Sequence, residues 1–395
     1  MRVAIIGQGY VGLTIAVGAA GAGHSVVGFD VNEGLVAQLN AGKSHIEGIS
    51  DSALTRFIGS RVYKASTDVA ELDGADVIVI AVPTPLDDAR NPDLSFVHAA
   101  ADFIAKNVKS PALIVNESTS YPGTLRNEIA ARITGVAHLY ASSPERVDPG
   151  NHQWGTKNTP RLIGGLTPEA VTKARAFYAT FCDEIVEVSS PEVAEAAKIF
   201  ENTFRQVNIA LVNEFAQIAD ALGISGREVI EAAATKPYGF MQFNPGPGVG
   251  GHCIPVDPSY LAHVANQVGV PATFIKRANE VNLAMPAYVV RQVIAGSGGS
   301  IQGKNVVVVG VSYKSNVADT RETPAAAVID LLRQNGATVT WHDDLVGEWR
   351  GELSAPLSGD IAVVVTRHDG IDLKAIASCG YVFDCTGTIA GADGI

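Results

Sequence analysis

The most constraining feature of this chain is a glycine-rich turn near its beginning. Residues 7–12 read Gly-Gln-Gly-Tyr-Val-Gly, and they follow the apolar run Val3–Ile6 and precede a helix-like stretch. In such a turn Gly7 permits a tight bend, Gly9 lets a pyrophosphate approach the backbone, and Gly12 lets the helix pack closely on the strand. The N-terminus of the helix offers free N–H groups to the phosphates. The turn therefore predicts a βαβ dinucleotide-binding unit of the Rossmann type.

A second strand specifies the cofactor. The run Ser25–Phe29 ends directly before Asp30, which lies 23 residues after Gly7. An acidic side chain at this position hydrogen-bonds the ribose 2′-hydroxyl of NAD, and its charge would repel the 2′-phosphate of NADP. We therefore expect NAD as the cofactor. A later glycine, Gly310, also follows an apolar strand, but it lacks the GxGxxG spacing and predicts no dinucleotide site of this kind.

Short apolar runs alternate with helix-like stretches in two parts of the chain. This alternation is typical of parallel sheets that helices cover on both faces. The predicted strands of the first series are Val3–Ile6, Ser25–Phe29, Val77–Val82, Leu113–Val115 and His138–Ala141, with a less regular pair at Arg161–Gly164 and Glu184–Val188. Those of the second series are Asn305–Val309, Thr338–His342, Ile361–Val365 and Tyr381–Asp384. We expect an α/β protein with a Rossmann domain, a helical middle and a Rossmann-like C-terminal domain.

The middle of the chain changes to a helical pattern. Residues Val193–Leu222 contain no proline or glycine, which predicts a helix about 45 Å long at about 1.5 Å per residue. Such a helix would bridge two domains, and its exposed apolar face would suit the interface of a homodimer. The 395 residues are too many for one domain of roughly 100–200 residues. The predicted domains are 1–190 for NAD, 191–296 for dimerisation and the cysteine loop, and 297–395 for the substrate.

Composition excludes several classes of protein. Apolar residues make up 47% of the chain and charged residues 18%, which excludes a mainly disordered state. The net charge of −12 argues against non-specific binding of nucleic acid or of a membrane surface. The four cysteines form no metal-ligand pattern or disulfide scaffold, so we expect no metal and a reducing cytoplasm. No apolar run is long enough to span a membrane or to serve as a signal peptide.

The stretch 246–257 reads Gly-Pro-Gly-Val-Gly-Gly-His-Cys-Ile-Pro-Val-Asp and breaks all periodicity. Its glycines let the backbone approach a ligand, and its prolines restrict its freedom. A thiol in such a loop, Cys253, can act as a covalent nucleophile with Asp257 nearby. The alternative is a buried structural cysteine. The other cysteines, Cys182, Cys379 and Cys385, lack such surroundings and are predicted core residues.

Two further sets of polar residues lie on a predicted helix or directly after predicted strands. Lys198 and Asn202 lie four residues apart on the predicted long helix and share one face. Together they could stabilise an oxyanion, or they could belong to a solvated polar stripe. Glu145 and the segment 116–119 each follow a predicted strand, where sheet-edge loops carry chemistry.

Seven motifs together resemble the UDP-glucose/GDP-mannose dehydrogenase family over nearly the whole chain. They are Gly7-x-Gly9-Tyr10-Val11-Gly12, Val82-Pro83-Thr84-Pro85, Glu117-Ser118-Thr119, Ser143-Pro144-Glu145-Arg146, Lys198-x-x-x-Asn202, Gly250-Gly251-His252-Cys253, and Lys314 with Asp319-Thr320-Arg321-Glu322. The resemblance implies an NAD-binding domain, a helical middle that dimerises and a C-terminal domain that helps to bind a UDP-sugar.

The resemblance also implies a four-electron oxidation of the sugar C6 alcohol to a uronate. Cys253 would carry the thiohemiacetal and the thioester. This covalent bond would keep C6 at the right oxidation level while NADH is exchanged for NAD. Lys198 and Asn202 would stabilise the oxyanions, and Glu145 would transfer protons. Asp257 and Thr119 would help to activate the water that releases the product.

The binding residues follow from the same resemblance. The expected cofactor-binding residues are Gly7, Gly9, Tyr10, Val11, Gly12, Asp30, Pro83, Thr84 and Thr119. The expected substrate-binding residues are Arg146, Val147, Lys198, Asn202, Phe243, Gly250, Lys314 and Arg321.

The expected sugar is a UDP-N-acetylhexosamine. The segments 145–151 and 251–258 look like the branch of the family that oxidises UDP-N-acetylglucosamine or UDP-N-acetylmannosamine. The UDP-glucose branch usually carries a second glutamate where Pro149 stands, and a serine or asparagine before the cysteine. The alternatives are a UDP-glucose 6-dehydrogenase, a two-electron hydroxyacid dehydrogenase without covalent catalysis, and a non-catalytic nucleotide-sugar sensor.

Overall fold

The computed structural model of the chain describes residues 1–46, 48–87, 89–148, 150–151, 153–251 and 253–395. Pro149 and His252, which belong to segments quoted above, lie outside the described residues. The chain forms two compact units. One comprises residues 1–201 and 259–268, and the other comprises residues 202–258 and 269–395.

The first unit is built on one eight-stranded sheet. Its strands are β1 (Arg2–Ile6), β2 (Ser25–Phe29), β3 (Tyr63–Ser66), β4 (Val77–Ile80), β5 (Leu113–Asn116), β6 (Leu139–Ser142), β7 (Arg161–Gly165) and β8 (Ile185–Glu187). They lie in the order β3-β2-β1-β4-β5-β6-β7-β8. Neighbouring strands are parallel except β6 and β7, which are antiparallel. The Rossmann-like sheet expected from the sequence is confirmed.

Helices connect the strands of this sheet and cover it. They are α1 (Tyr10–Gly21), α2 (Glu33–Asn40), α3 (Asp51–Gly59), α4 (Ser95–Asn107) and α5 (Pro168–Tyr178), with a 3-10 turn at Val69–Leu72 and a π-helix at Thr124–Ala130. All four side chains of β4 are fully buried, as both faces of a central parallel strand should be. The sequence did not predict β3, because this strand reads Tyr-Lys-Ala-Ser and only Tyr63 is of a type enriched in strands.

The predicted long helix is present as α6 (Pro191–Leu222), which has 32 residues. It begins two residues earlier than predicted, since Pro191 is well tolerated in the first turn of a helix. Its exposed apolar side chains recur at intervals of four or seven residues and so form one stripe. They are Val193, Phe200, Phe204, Leu211, Ile218 and Leu222.

The second unit contains helices beside a five-stranded parallel sheet. The remaining helices of the chain are α7 (Gly226–Ala234), α8 (Asp257–Gln267), α9 (Thr273–Gly296), α10 (Pro324–Gln334) and α11 (Leu373–Ala377). The remaining strands are β9 (Asn305–Val309), β10 (Thr338–His342), β11 (Glu348–Trp349), β12 (Glu352–Leu353), β13 (Ile361–Val364), β14 (Tyr381–Asp384) and β15 (Asp393–Gly394). The sheet order is β10-β9-β13-β14-β15, and β11 and β12 form a separate hairpin. The expected second parallel sheet is therefore confirmed.

Candidate active site

The glycine turn has the geometry that a bound pyrophosphate requires. Gly7 has a φ of +90°, and a Cβ on it would lie 2.4 Å from the carbonyl oxygen of Ala81. A Cβ on Gly12 would lie 1.8 Å from the Gly7 oxygen, so α1 can approach β1 only because this residue is glycine. Gly9 precedes Tyr10, the first residue of α1, and a Cβ on Gly9 would meet no atom within 4 Å. The phosphates therefore have open space in front of the helix N-terminus.

Asp30 lies at the end of β2 beside this turn. Its Oδ2 atom accepts a hydrogen bond from the backbone N–H of Gln8 at 2.8 Å, and Oδ1 accepts one from Asn32 at 2.9 Å. Each carboxylate oxygen can accept a second hydrogen bond, so the carboxylate can still bind a ribose hydroxyl. The fixed negative charge fits NAD and disfavours a 2′-phosphate.

The ends of β4 and β5 are tied together next to the glycine turn. Ser118 Oγ donates to the carbonyl oxygen of Val82 and accepts from its N–H, both at 2.9 Å. This clasp fixes the start of the Val82–Pro85 motif, in which Pro83 is exposed and Thr84 is buried. Thr119 follows Ser118 and is half-buried. The residues expected to bind the cofactor therefore come from neighbouring strand ends of one sheet, where open α/β folds bind ligands.

A buried charged cluster lies at the same edge of the sheet. It consists of Glu117, Glu145, Arg161 and Tyr178, which are each at most 7% exposed. The Arg161 guanidinium lies 2.9 Å from Glu117 Oε2 and 2.8 Å from Glu145 Oε2. The Tyr178 hydroxyl donates to Glu117 Oε1 at 2.5 Å, and its ring lies 4.7 Å from the guanidinium carbon. The Arg161 guanidinium therefore forms ion pairs with both carboxylates in a site that excludes solvent.

The two carboxylates of this cluster differ in acidity. Burial raises the pKa of Glu117 to about 7, although Arg161 opposes this shift. Burial acts in the same direction on Glu145, but there Arg161 and the backbone N–H groups of Val147 and Arg146 outweigh it, so its pKa lies below the usual value. The cluster therefore contains one carboxyl group that holds its proton more tightly, Glu117, and one that ionises more readily, Glu145.

Glu145 is a site residue predicted from the sequence, whereas Arg161 and Tyr178 are not among the predicted site residues. Arg161 is the first residue of β7, and the other residues of this strand are apolar. A charged residue at the start of a buried strand is the sequence signal that could have identified the cluster, because a buried cation requires an anionic partner. Since β7 runs antiparallel to β6, its beginning lies at the carboxyl edge of the sheet.

Three further expected site residues are engaged within the protein or buried. The Arg146 guanidinium donates to Glu201 Oε1 and to the carbonyl oxygen of Pro160, both at 2.7 Å. The backbone N–H of Val147 is bonded to Glu145. Lys198 is 8% exposed, so its ammonium group is largely withdrawn from water.

In the second unit, Cys253 is exposed, whereas Cys182, Cys379 and Cys385 are buried. The carbonyl oxygen of Cys253 accepts hydrogen bonds from Val256 and Asp257 in a turn that leads into α8. Asp257, the first residue of α8, is 2% exposed and accepts a 2.5 Å hydrogen bond from Asn202 Nδ2. The fold therefore brings together Asn202 and Asp257, which are 55 positions apart, at the base of the thiol-bearing turn.

Arg321 supplies positive charge beside this turn. Its guanidinium is held by the carboxylate of Asp319 at 2.5–3.0 Å. Asp319 raises the pKa of Arg321, and Cys253 contributes in the same direction. A cation next to a cysteine favours the thiolate, which is the nucleophilic form.

Glycine is required where the cysteine turn meets the start of the C-terminal sheet. A Cβ on Gly250 would lie 2.7 Å from the Cβ of Tyr313, and one on Gly251 would lie 2.8 Å from the Tyr313 ring. The N–H of Gly251 donates to the carbonyl oxygen of Arg321 at 2.9 Å. Lys314, next to Tyr313, is half-buried. The turn is thus packed against the two segments that carry the expected substrate-binding cations.

A buried network fixes the loop after β9. Asp343 Oδ2 accepts hydrogen bonds from the N–H groups of Val311 and Ser312 and from the Ser312 hydroxyl, at 2.9–3.1 Å. Its Oδ1 atom lies 3.0 Å from Nε2 of His368, whose Nδ1 accepts from the N–H of Asn316 at 2.8 Å. Because Nδ1 accepts, Nε2 carries the proton and donates to Asp343. This pair is not among the residues predicted from the sequence, although both residues follow strands of the second sheet.

Phe243 lies in the long loop before the cysteine turn. It is half-buried, and its ring packs edge-on against Phe204 of α6 with centroids 5.8 Å apart.

Among the described residues, no cluster of three or more His, Cys, Asp and Glu side chains could hold a metal ion. None of the described helices is both long enough and apolar enough to cross a bilayer.

Three domains of one family match consecutive parts of the chain. Residues 1–182 match the NAD binding domain of the UDP-glucose/GDP-mannose dehydrogenase family, and residues 192–284 match its central domain. Residues 307–389 match its UDP binding domain.

Individual proteins are similar over most of their length. A UDP-N-acetyl-D-mannosamine dehydrogenase of Methanococcus maripaludis is 38% identical, over 93% of this chain and 86% of the relative. A UDP-N-acetyl-D-glucosamine 6-dehydrogenase of Pseudomonas aeruginosa is 35% identical, over 85% and 80%. The solved structure of a UDP-D-ManNAc dehydrogenase from Pyrococcus horikoshii superposes with a TM-score of 0.90 at 31% identity, covering 100% of this chain and 99% of that one.

Proposed function

Because the chain belongs to the UDP-glucose/GDP-mannose dehydrogenase family and is an NAD-dependent oxidoreductase, we propose that it oxidises C6 of a UDP-N-acetylhexosamine to the uronate through a Cys253 thioester. The chemistry that NAD supplies when bound is the acceptance of hydride, once for each of two oxidations at C6. Gly7, Gly9 and Gly12 would hold its pyrophosphate, and Asp30 its ribose.

Cys253 performs the covalent part of the reaction. Its thiolate adds to the C6 aldehyde, which forms a C–S bond and an oxyanion that takes up a proton to give the thiohemiacetal. Loss of a hydride from C6 and of the hydroxyl proton leaves the thioester. Water then attacks the thioester carbonyl, the C–S bond breaks, and the carboxylate, the thiolate and two protons are released.

The neighbouring polar groups stabilise charge and move protons in this scheme. Lys198 and Asn202 stabilise the oxyanions at C6. The amide of Asn202 has a second hydrogen for this purpose, since only one is needed for its bond to Asp257. Asp257 and Thr119 orient the attacking water, and Glu145 accepts protons.

The UDP-sugar is bound by the C-terminal part of the chain in this proposal. Lys314 and Arg321 provide cations for the diphosphate in a protein whose net charge is −12. Arg146, Val147, Phe243 and Gly250 are assigned to the sugar side. Relatives named for UDP-N-acetylmannosamine and UDP-N-acetylglucosamine both support an N-acetylhexosamine as the substrate.

The observation that carries the proposal is the exposed Cys253 thiol in a glycine-lined turn, beside Arg321 and the Asn202–Asp257 pair. A structural cysteine would be buried, as the other three are.

The exposed apolar stripe of α6 supports the further proposal that the protein is a homodimer.

A panel of UDP-sugars tests this function. We expect two NADH per sugar consumed with UDP-N-acetylmannosamine or UDP-N-acetylglucosamine, and more weakly or not at all with UDP-glucose. Cys253→Ser should abolish uronate release, whereas the buried-thiol control Cys379→Ser should keep it. A ratio near one NADH per sugar, or turnover by Cys253→Ser, would support a two-electron dehydrogenase instead. No NADH from any sugar would support the sensor.

A further inference from the structure

We propose that Glu117 is a positioning residue that takes up and releases one proton and thereby controls, through Arg161, the basicity of Glu145. The inference rests on the proposed role of Glu145 as a proton acceptor. Glu117 itself is 1% exposed and is assigned no contact with the substrate or the cofactor.

The cluster contains more carboxylates than cations. The guanidinium of Arg161 contacts both carboxylates, at 2.9 and 2.8 Å. If both Glu117 and Glu145 are ionised, the cluster carries one uncompensated negative charge. Such a charge is costly in a site without solvent. A single proton removes it, and the cluster then contains one neutral acid and one Arg161–Glu145 ion pair.

The surroundings determine which carboxylate takes that proton. Glu145 Oε1 accepts two backbone N–H bonds, from Arg146 and Val147, which stabilise its ionised form. The groups that face Glu117 are Arg161 from β7, Tyr178 from α5 and Glu145 from the loop after β6, with Cys182 close by. Glu117 therefore holds the proton, in agreement with the value of its pKa, about 7.

Loss of this proton changes the charge next to Glu145. Below neutral pH, the anionic partner of Arg161 is Glu145, whose basicity is low. Above neutral pH, Arg161 is shared with ionised Glu117, and the second negative charge raises the proton affinity of Glu145. Proton acceptance by Glu145 should therefore become more effective as the pH rises through about 7.

The variant Glu117→Gln tests this coupling, because glutamine keeps the shape of the side chain and stays neutral. We expect kcat of the wild type to rise through about pH 7. In Glu117→Gln this rise should disappear, and kcat at alkaline pH should fall about tenfold, which corresponds to about one pKa unit. KM for the UDP-sugar should stay within about twofold, since Glu117 does not bind it.

Two further variants separate positioning from stability. Tyr178→Phe removes a hydrogen bond that lowers the pKa of Glu117, so the rise in kcat should move to higher pH. Glu195→Gln is the matched control, because Glu195 is also buried but accepts from the N–H groups of Gly123 and Leu125 instead of Arg161. It should lower the melting temperature and leave the midpoint of the kcat profile unchanged.

Infrared titration of the free protein tests the proton directly and does not depend on turnover. In Glu195→Gln, the carboxylic-acid carbonyl band of Glu117 should disappear around pH 7. The wild type should show this band together with that of Glu195, because burial raises the pKa of Glu195 to about 8, and Glu117→Gln should show the Glu195 band alone. If the Glu117 band is absent from the wild type and from Glu195→Gln, or if Glu117→Gln keeps the wild-type kcat profile, the inference is overturned. Failure of the proposed function would instead appear as absent NADH formation with the infrared band intact.

Discussion

Gly12 is the residue at which the N-terminal unit has least room for a side chain. A Cβ there would lie 1.8 Å from the Gly7 oxygen, so Gly12→Ala must displace α1 from β1. We expect a loss of about 1–3 kcal/mol in the free energy of unfolding, as for other overpacked sites, together with weaker NAD binding. Thermal melts and NAD titration measure the two effects.

Gly9 and Gly59 provide the controls for this prediction. A Cβ on either residue meets no atom within 4 Å, and neither has a positive φ. Gly9→Ala should keep the stability of the wild type but weaken NAD binding, because the methyl group occupies the space of the pyrophosphate. Gly59→Ala, at the end of α3, should change neither. Tight NAD binding by Gly9→Ala would contradict the placement of the phosphates.

At the scale of elements, the loop 311–316 depends on residues that follow two other strands. His368 accepts from Asn316 and donates to Asp343, which holds Val311 and Ser312. We expect His368→Ala to release this loop and to raise KM for the UDP-sugar about tenfold, with a smaller change in kcat, since a lost buried hydrogen bond costs about 1–3 kcal/mol. Steady-state kinetics at saturating NAD measure both constants.

His342 offers a comparison within the same sheet. Its ring contacts the carbonyl oxygen of Ala355 and the carboxylate of Asp344, and makes no bond to residues 311–316. His342→Ala should therefore leave KM for the UDP-sugar unchanged. If His368→Ala folds and also keeps the wild-type KM, the loop does not depend on the Asp343–His368 pair for binding.

At the scale of the whole molecule, the apolar stripe of α6 predicts that two copies of the chain associate. Leu211 is 65% exposed and Phe200 64%, which is unusual for apolar side chains that form a row on one helix. We expect a dimer by light scattering at micromolar concentration and a monomer for Leu211→Glu. The control is Leu353→Glu on β12, where the side chain is 73% exposed but lies outside the stripe. A wild-type monomer would contradict the homodimer.

Several elements could be predicted because their causes are local in the chain. The φ of +90° at Gly7 is a property that glycine alone adopts easily, and β9 and β14 have the predicted bounds because apolar runs define them. The edge strand β10 also has the predicted bounds, because its β-branched and aromatic residues favour a strand. The strand β3 was not predicted, because Tyr63 is the only one of its four residues of a type enriched in strands.

The cofactor turn, the two parallel sheets and the long helix follow from local sequence, since backbone freedom, apolar periodicity and the absence of helix breakers act over a few residues. The partners of the buried charges depend on the fold as a whole. Arg161 meets Glu117 and Glu145 because β5, β6 and β7 are neighbours in the sheet. Likewise, Asp343 meets His368 across strand ends that are 25 positions apart. Strand order depends on packing of the whole sheet, and no short segment of sequence contains that information.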